Sequence, residues 1–148
     1  MSVIQSLQVC TFYVDGQLFA VEAKSVQEVI RYQDITEVPM APSSIVGLIN
    51  LRGQIVTAID LRTRLGLPKR EPGKLPMNVV IRSGENAISL LVDQIGEVQS
   101  VDAGDFESPP DTLRSSSRQF ISGTYKMSDG LLLLLDIDRT LEFDSADP

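Results

Sequence analysis

The sequence predicts a mainly β protein made of two related, small closed β-barrels joined by short helices. Three observations carry this. Apolar runs of strand length recur between turn signals along the whole chain. The two halves repeat one another in order. Helical periodicity is confined to stretches of a few residues.

Taken in chain order, strands are expected over residues 7–14, 17–23, 46–51, 54–60, 77–82, 87–92, 96–101, 120–127 and 131–137. Asp15-Gly16, Arg52-Gly53, Ser83-Gly84 and Asp129-Gly130 each stand between two such runs, where glycine takes the positive φ that a tight hairpin demands. At least four hairpins follow. Short helices are expected at 25–32, where Val26, Val29 and Ile30 fall at i, i+3 and i+4, and again at 61–65 and 138–141.

The repeat is loose but keeps its order. Gly16 to Val29 spans a hairpin, an apolar strand and a closing Glu28-Val29, and Gly84 to Val98 does the same one residue longer, closing with Glu97-Val98. Gly47, Gly53, Asp60 and Leu65 reappear as Gly123, Gly130, Asp136 and Leu141, with the outer members 18 positions apart in both stretches. Each unit is too small for an open sheet with protected edges, which favours closure into a barrel. Residues 12–67 are expected to form the first barrel and 77–143 the second, within one domain spanning 1–148. Residues 68–76, with three prolines among charges, are expected to be a solvated linker. The loop over 102–119 is longer than its counterpart at 31–44, a length that signals flexibility or function.

Composition removes much chemistry. The chain has 148 residues, 13 Lys+Arg against 20 Asp+Glu for a net charge of −7, one Cys, no His and no Trp. Without His there is no imidazole base, no Ser-His or Cys-His nucleophile pair and no His-ligated metal. One Cys excludes an internal disulfide and a thiolate zinc cage. The acidic balance and 5% aromatic content speak against a nucleic-acid face, and the acidic balance also speaks against a polybasic grip on lipid. A 43% hydrophobic content suits a packed globular core. The N-terminus lacks the pattern of a signal peptide and the longest apolar run, 131–135, is too short to span a bilayer, so a cytoplasmic location is expected.

Four carboxylates, Asp60, Asp93, Asp136 and Asp138, stand at strand ends, where an acid–base pair or a Mg²⁺ site could assemble; a carboxylate- and metal-dependent enzyme is therefore the alternative reading. Asp60 and Asp136 occupy equivalent places just before a helical turn, which favours N-capping. Cys10, in an apolar strand without a nearby cation, reads as a small core residue. The Gly47 to Gly53 run is not a phosphate loop, since no Lys-Ser or Lys-Thr follows and a strand replaces the helix.

One stretch is more specific: Pro39-Met40-Ala41-Pro42, then Gly47, Asn50-Leu51-Arg52-Gly53 and Ile59-Asp60-Leu61-Arg62. With Val26-Gln27-Glu28-Val29, Leu90-Leu91-Val92-Asp93 and Ile95-Gly96-Glu97-Val98, it resembles the CheW family, the coupling proteins of bacterial chemotaxis, from about Leu7 to Phe143. The resemblance implies two five-stranded SH3-like barrels side by side and a noncatalytic adaptor without cofactor or metal. The implied partners are the regulatory domain of the histidine kinase CheA and the cytoplasmic tip of chemoreceptors, with recruitment to membrane-associated receptor arrays and no insertion into the membrane. Carried over by motif, the receptor-binding groove comprises Val26, Glu28, Gly47, Arg52, Val79 and Val98. Candidates for the kinase face are Ile35, Val38 and Ile55, apolar residues that the strand pattern leaves outside the core. Thr57 stands where a proline commonly follows the central Ile-Val of the family. No receiver or kinase module is appended, so a standalone coupler is expected, serving either flagellar chemotaxis or another chemosensory pathway.

Overall fold

The computed structural model describes residues 6–128 and 130–142; Asp129 of the fourth expected turn and Phe143 at the end of the second expected barrel lie outside the described residues. The chain opens with a hairpin of β1 (Ser6–Val14) and β2 (Gln17–Glu22). A 3-10 turn at Ala23–Ser25 leads into β3 (Val26–Ile30), and a second hairpin, β4 (Ile45–Leu51) and β5 (Gln54–Asp60), ends in α1 (Leu61–Arg64). The second half runs β6 (Met77–Ser83), β7 (Asn86–Val92), β8 (Gln94–Asp102), a 3-10 turn (Ala103–Asp105), β9 (Phe106–Glu107), α2 (Ser115–Arg118), β10 (Ile121–Met127), β11 (Gly130–Leu135) and α3 (Ile137–Thr140). The mainly β expectation and all four hairpins hold. In the first two turns both central residues have positive φ, 52° and 76° at Asp15-Gly16 and 51° and 90° at Arg52-Gly53, the type I′ geometry that matches strand twist. The third turn falls on Gly84-Glu85, one residue later than expected, because Ser83 still pairs with Asn86.

The expected helix at 25–32 is corrected to the strand β3. Its apolar spacing imitates a helical stripe because a bulge between Val26 and Glu28 interrupts the alternation of the strand. Three of its five residues are β-branched, which suits the pleat better than a helix. The long loop over 102–119 is more ordered than its composition suggests, holding a 3-10 turn, β9 and α2.

The strands make a six-stranded sheet, β8-β1-β2-β11-β10-β9, and a five-stranded sheet, β3-β6-β7-β5-β4. The sheets are therefore not the two halves of the sequence. Each half lends its first hairpin to the other: β1–β2 joins strands of the second half and β6–β7 joins strands of the first. The pairings correspond under an approximate two-fold. Phe12 opposite Ile95 matches Ile81 opposite Val26, and the parallel pair β11–β2 matches β5–β7. This corrects the expectation that 12–67 and 77–143 each supply all the strands of one barrel. Glu28-Val29 and Glu97-Val98, recognised as a repeat in the sequence, occupy equivalent places on the edge strands β3 and β8.

The exchange explains the unbroken apolar runs. One buried cluster lies within the five-stranded sheet (Ile49, Val56, Val80, Leu91 among others) and one within the six-stranded sheet (Val9, Ala20, Tyr125, Leu132). The largest fills the space between them (Phe12, Phe19, Ile59, Leu90, Leu133). Along β11, Leu132 and Leu134 face the first kind of core while Leu133 and Leu135 face the shared one. Both faces of such a strand are dry, so alternation gives way to continuous hydrophobicity.

Candidate functional site

Three of the four carboxylates at the strand ends are engaged in structure. Asp60 accepts from the Arg62 backbone N–H at 3.0 Å and Asp136 from that of Arg139 at 3.1 Å, each capping the helix that follows. Asp93 joins four parts of the chain. Its carboxylate takes a two-pronged bond from Arg62 (Nε 3.0 Å, Nη2 2.7 Å), another from Arg70 Nε at 2.9 Å and a fourth from the Asp15 N–H at 2.7 Å. Burial alone would push the Asp93 carboxyl up, but Arg62, the Asp15 amide and Arg70 together hold it below the usual carboxylate range. Arg70 belongs to the expected solvated linker, yet its side chain is only 12% exposed, so this part of the linker is folded in. Asp138 lies exposed in the first turn of α3. The Cys10 thiol is half-buried and pushed up by that burial, in keeping with a packing role.

Of the residues assigned to the receptor groove, Glu28 and Arg52 are brought together. β3 and β4 are opposite edges of the five-stranded sheet, which curls until the Arg52 guanidinium at the β4–β5 turn meets the Glu28 carboxylate on β3. Gln27 Nε2 also donates to that carboxylate, at 3.3 Å. The bond from Arg52, then that from Gln27, hold the Glu28 carboxyl below its ordinary range. The Arg52 side chain is nevertheless 71% exposed. Its turn is fastened from below, since the Gly53 N–H donates to Asn50 Oδ1 at 2.9 Å. Val26 begins the same strand, half-buried against the shared core. Val98 lies on the other sheet, at the equivalent edge, and is 62% exposed.

Two assignments are corrected. Val79 is 1% exposed in the core between the sheets and has no surface to offer. Gly47 is buried, and its requirement is a close approach: a Cβ there would stand 2.2 Å from the Thr36 carbonyl oxygen. That carbonyl accepts from the Leu48 N–H, and Thr36 N donates back to Leu48 O, both at 2.8 Å, so the glycine lets the preceding loop close over β4. Gly123 does the same for the aromatic ring of Phe106 and for Glu107. Among the kinase-face candidates, Ile35 packs partly buried over the core of the five-stranded sheet, whereas Val38 and Ile55 are exposed, Ile55 at 60%. Among the exposed apolar residues that sequence reasoning missed are Val29 and Met40. Val29 is the edge-strand equivalent of Val98, to which the repeat already pointed. Met40 stands fully exposed at φ 63° in the proline-bounded loop.

Comparison with known proteins was consistent in kind. A family model described as a CheW-like domain matches residues 8–144. The chain is similar to "Chemotaxis protein CheW" of Bacillus subtilis, 30% identical with 91% of this chain and 86% of that protein covered. It is likewise similar to the protein of that name from Thermotoga maritima, 29% identical with 94% and 90% covered. Its fold is similar to the crystal structure of the scaffolding protein TtCheW from Thermoanaerobacter tengcongensis, with a TM-score of 0.84, 27% identity and 97% and 98% of the two chains covered.

Proposed function

Since the chain belongs to the CheW family of chemotaxis scaffold proteins, we propose that it is a noncatalytic coupler. In this reading it binds the regulatory domain of a CheA-type histidine kinase and the cytoplasmic tip of a chemoreceptor, placing kinase activity under receptor control at membrane-associated arrays. The match of the CheW-like family model over residues 8–144 carries the reading. The state of the carboxylates supports it, because Asp60, Asp93 and Asp136 are committed to caps and ion pairs. No helix among the described residues is long and apolar enough to cross a membrane.

A coupler acts through surfaces, and the receptor face in this proposal is Val26, Glu28, Arg52 and Val98. Arg52 presents a planar fork of donors suited to carboxylate or carbonyl oxygens at a helical tip, and Glu28 fixes where that fork points. Val38 and Ile55 form the kinase face, as exposed apolar side chains that a partner can cover. The test is a pull-down with a receptor signalling fragment, followed by a kinase assay with CheA. Arg52→Glu leaves the fold intact, since the side chain stands in water, and weakens receptor capture at least about tenfold, the scale of losing a charged anchor. Ile55→Glu weakens kinase capture while leaving receptor capture in place. A folded Arg52→Glu protein that still captures receptor at full strength removes Arg52 from the interface.

A further inference from the structure

The loop between β3 and β4 is pinned at both ends. Thr36 exchanges two backbone hydrogen bonds with Leu48, Ile45 N donates to Pro42 O at 2.9 Å, and Asp60 N donates to Ser44 O at 2.8 Å. Between these anchors Pro39-Met40 forms a turn in which Met40 has φ 63°. Proline at the first central position with a positive φ at the second is the type II arrangement, whose second position suits Gly or Asn. A methionine there is strained by its own Cβ, and it gains nothing from burial, because its side chain stands wholly in water. Strain that no packing offsets points to a task outside the fold.

Its neighbours define that task. Val38, two residues earlier, is exposed and belongs to the kinase face proposed above, and the inference rests on that reading. A flexible thioether adapts to whatever apolar surface covers it. The same sulfur is the most accessible among the described residues. Met77 is half-buried against the core between the sheets and Met127 against that of the six-stranded sheet. The Cys10 thiol is half-buried on β1, where burial disfavours the thiolate that an oxidant attacks. We propose that Met40 is a redox-sensitive contact on the kinase face: a peroxide converts its thioether to the sulfoxide, and the chain then releases the kinase. A sulfur lone pair attacks one peroxide oxygen, the O–O bond breaks, and with hydrogen peroxide the departing hydroxide takes up a proton and leaves as water. The sulfur is oxidised and the peroxide reduced. The product carries a strong acceptor where an apolar side chain was to be covered, so contact with the kinase buries a polar oxygen without a donor.

In the test the full chain is treated with hydrogen peroxide, mapped by peptide mass spectrometry and passed over the immobilised regulatory domain of a CheA-type kinase. Met40 is expected to take up one oxygen before Met77, Met127 and Cys10, and kinase capture to fall about tenfold, as burial of an unpaired polar group does. Capture of a receptor fragment is expected to persist. Methionine sulfoxide reductase is expected to restore kinase capture, which it would not do had a thiol been oxidised. Met40→Leu, apolar but without a sulfur, is expected to lose the peroxide response, and Met40→Gln to weaken capture with no peroxide added. Earlier oxidation at Met77, Met127 or Cys10, a response that survives in Met40→Leu, or full capture by a chain carrying the Met40 sulfoxide would each overturn the proposal. If that oxidised chain captures kinase while Ile55→Glu does not, the kinase face stands and only the switch falls. If the untreated chain captures no kinase at all, the kinase face falls and the switch with it.

Discussion

At the scale of single residues, two positions show how a local requirement is set by distant chain. Gly47 is fixed by the Thr36 carbonyl that crosses it, so Gly47→Ala drives a methyl into backbone that is itself hydrogen-bonded. A loss of about 1–3 kcal/mol in urea unfolding is expected, the range for overpacking. Gly104→Ala, with open space around it, should change stability by less than about 0.5 kcal/mol. Asp93 gives a pH signature. Its folded pKa is held below the unfolded value of about 3.9, so its stabilisation is complete above that pH and disappears as the pH falls through the folded value. Asp93→Asn leaves Arg62 and Arg70 facing a neutral group. It should cost about 2–4 kcal/mol at neutral pH and flatten the acid side of the stability–pH curve measured by denaturant titration. A variant with an unchanged acid limb would show that other carboxylates govern it.

At the scale of elements, the long loop before β10 is held by one side chain. Arg118 on α2 places Nη2 between 2.6 and 3.2 Å from the carbonyls of Pro110, Asp111 and Leu113, while Ser117 Oγ donates to Leu65 O at 2.7 Å and ties α2 to the end of α1. Arg118→Ala frees those carbonyls. Faster amide exchange across residues 110–114 is expected, with a smaller global loss of about 1–2 kcal/mol. Equal exchange in the two proteins would mean that Ser117 and the prolines hold the loop alone. The same scale accounts for the misjudged helix at 25–32. A bulge displaces apolar side chains by one residue, and over five residues the displaced strand pattern and a helical one coincide. The strands longer than that, β8 apart, were legible because each abuts a hairpin glycine.

At the scale of the molecule, the reciprocal exchange of hairpins makes the two sheets interdependent. Severed at the linker, residues 1–67 would keep β3, β4 and β5 but lose the β6–β7 pair that joins β3 to β5, and the β1–β2 hairpin would have no sheet. The shared core, including Phe12, Ile59, Leu90 and Leu133, would lie open in both pieces. Fragments 1–67 and 77–148 should each be largely unfolded by circular dichroism, yet recover the β spectrum when mixed. Independent folding of either piece would contradict the exchange. The intact chain should accordingly unfold in a single transition.

The sequence by itself determined the four hairpins, the caps at Asp60 and Asp136 and the family, because each is written in neighbouring residues: alternation, a glycine at positive φ, a carboxylate before a helical turn. It also carried the repeat. What it did not carry is which repeat pairs with which, since strands with both faces apolar satisfy either sheet. Burial followed from that choice. Val79 and Val98 are alike in sequence, yet one lies between the sheets and the other on an open edge. Arg70 looked like linker until Asp93, brought near by the turn from β7 into β8, gave its charge a partner. Only the tertiary structure decided these, because pairing and burial depend on segments far apart in the chain that meet only when the core closes.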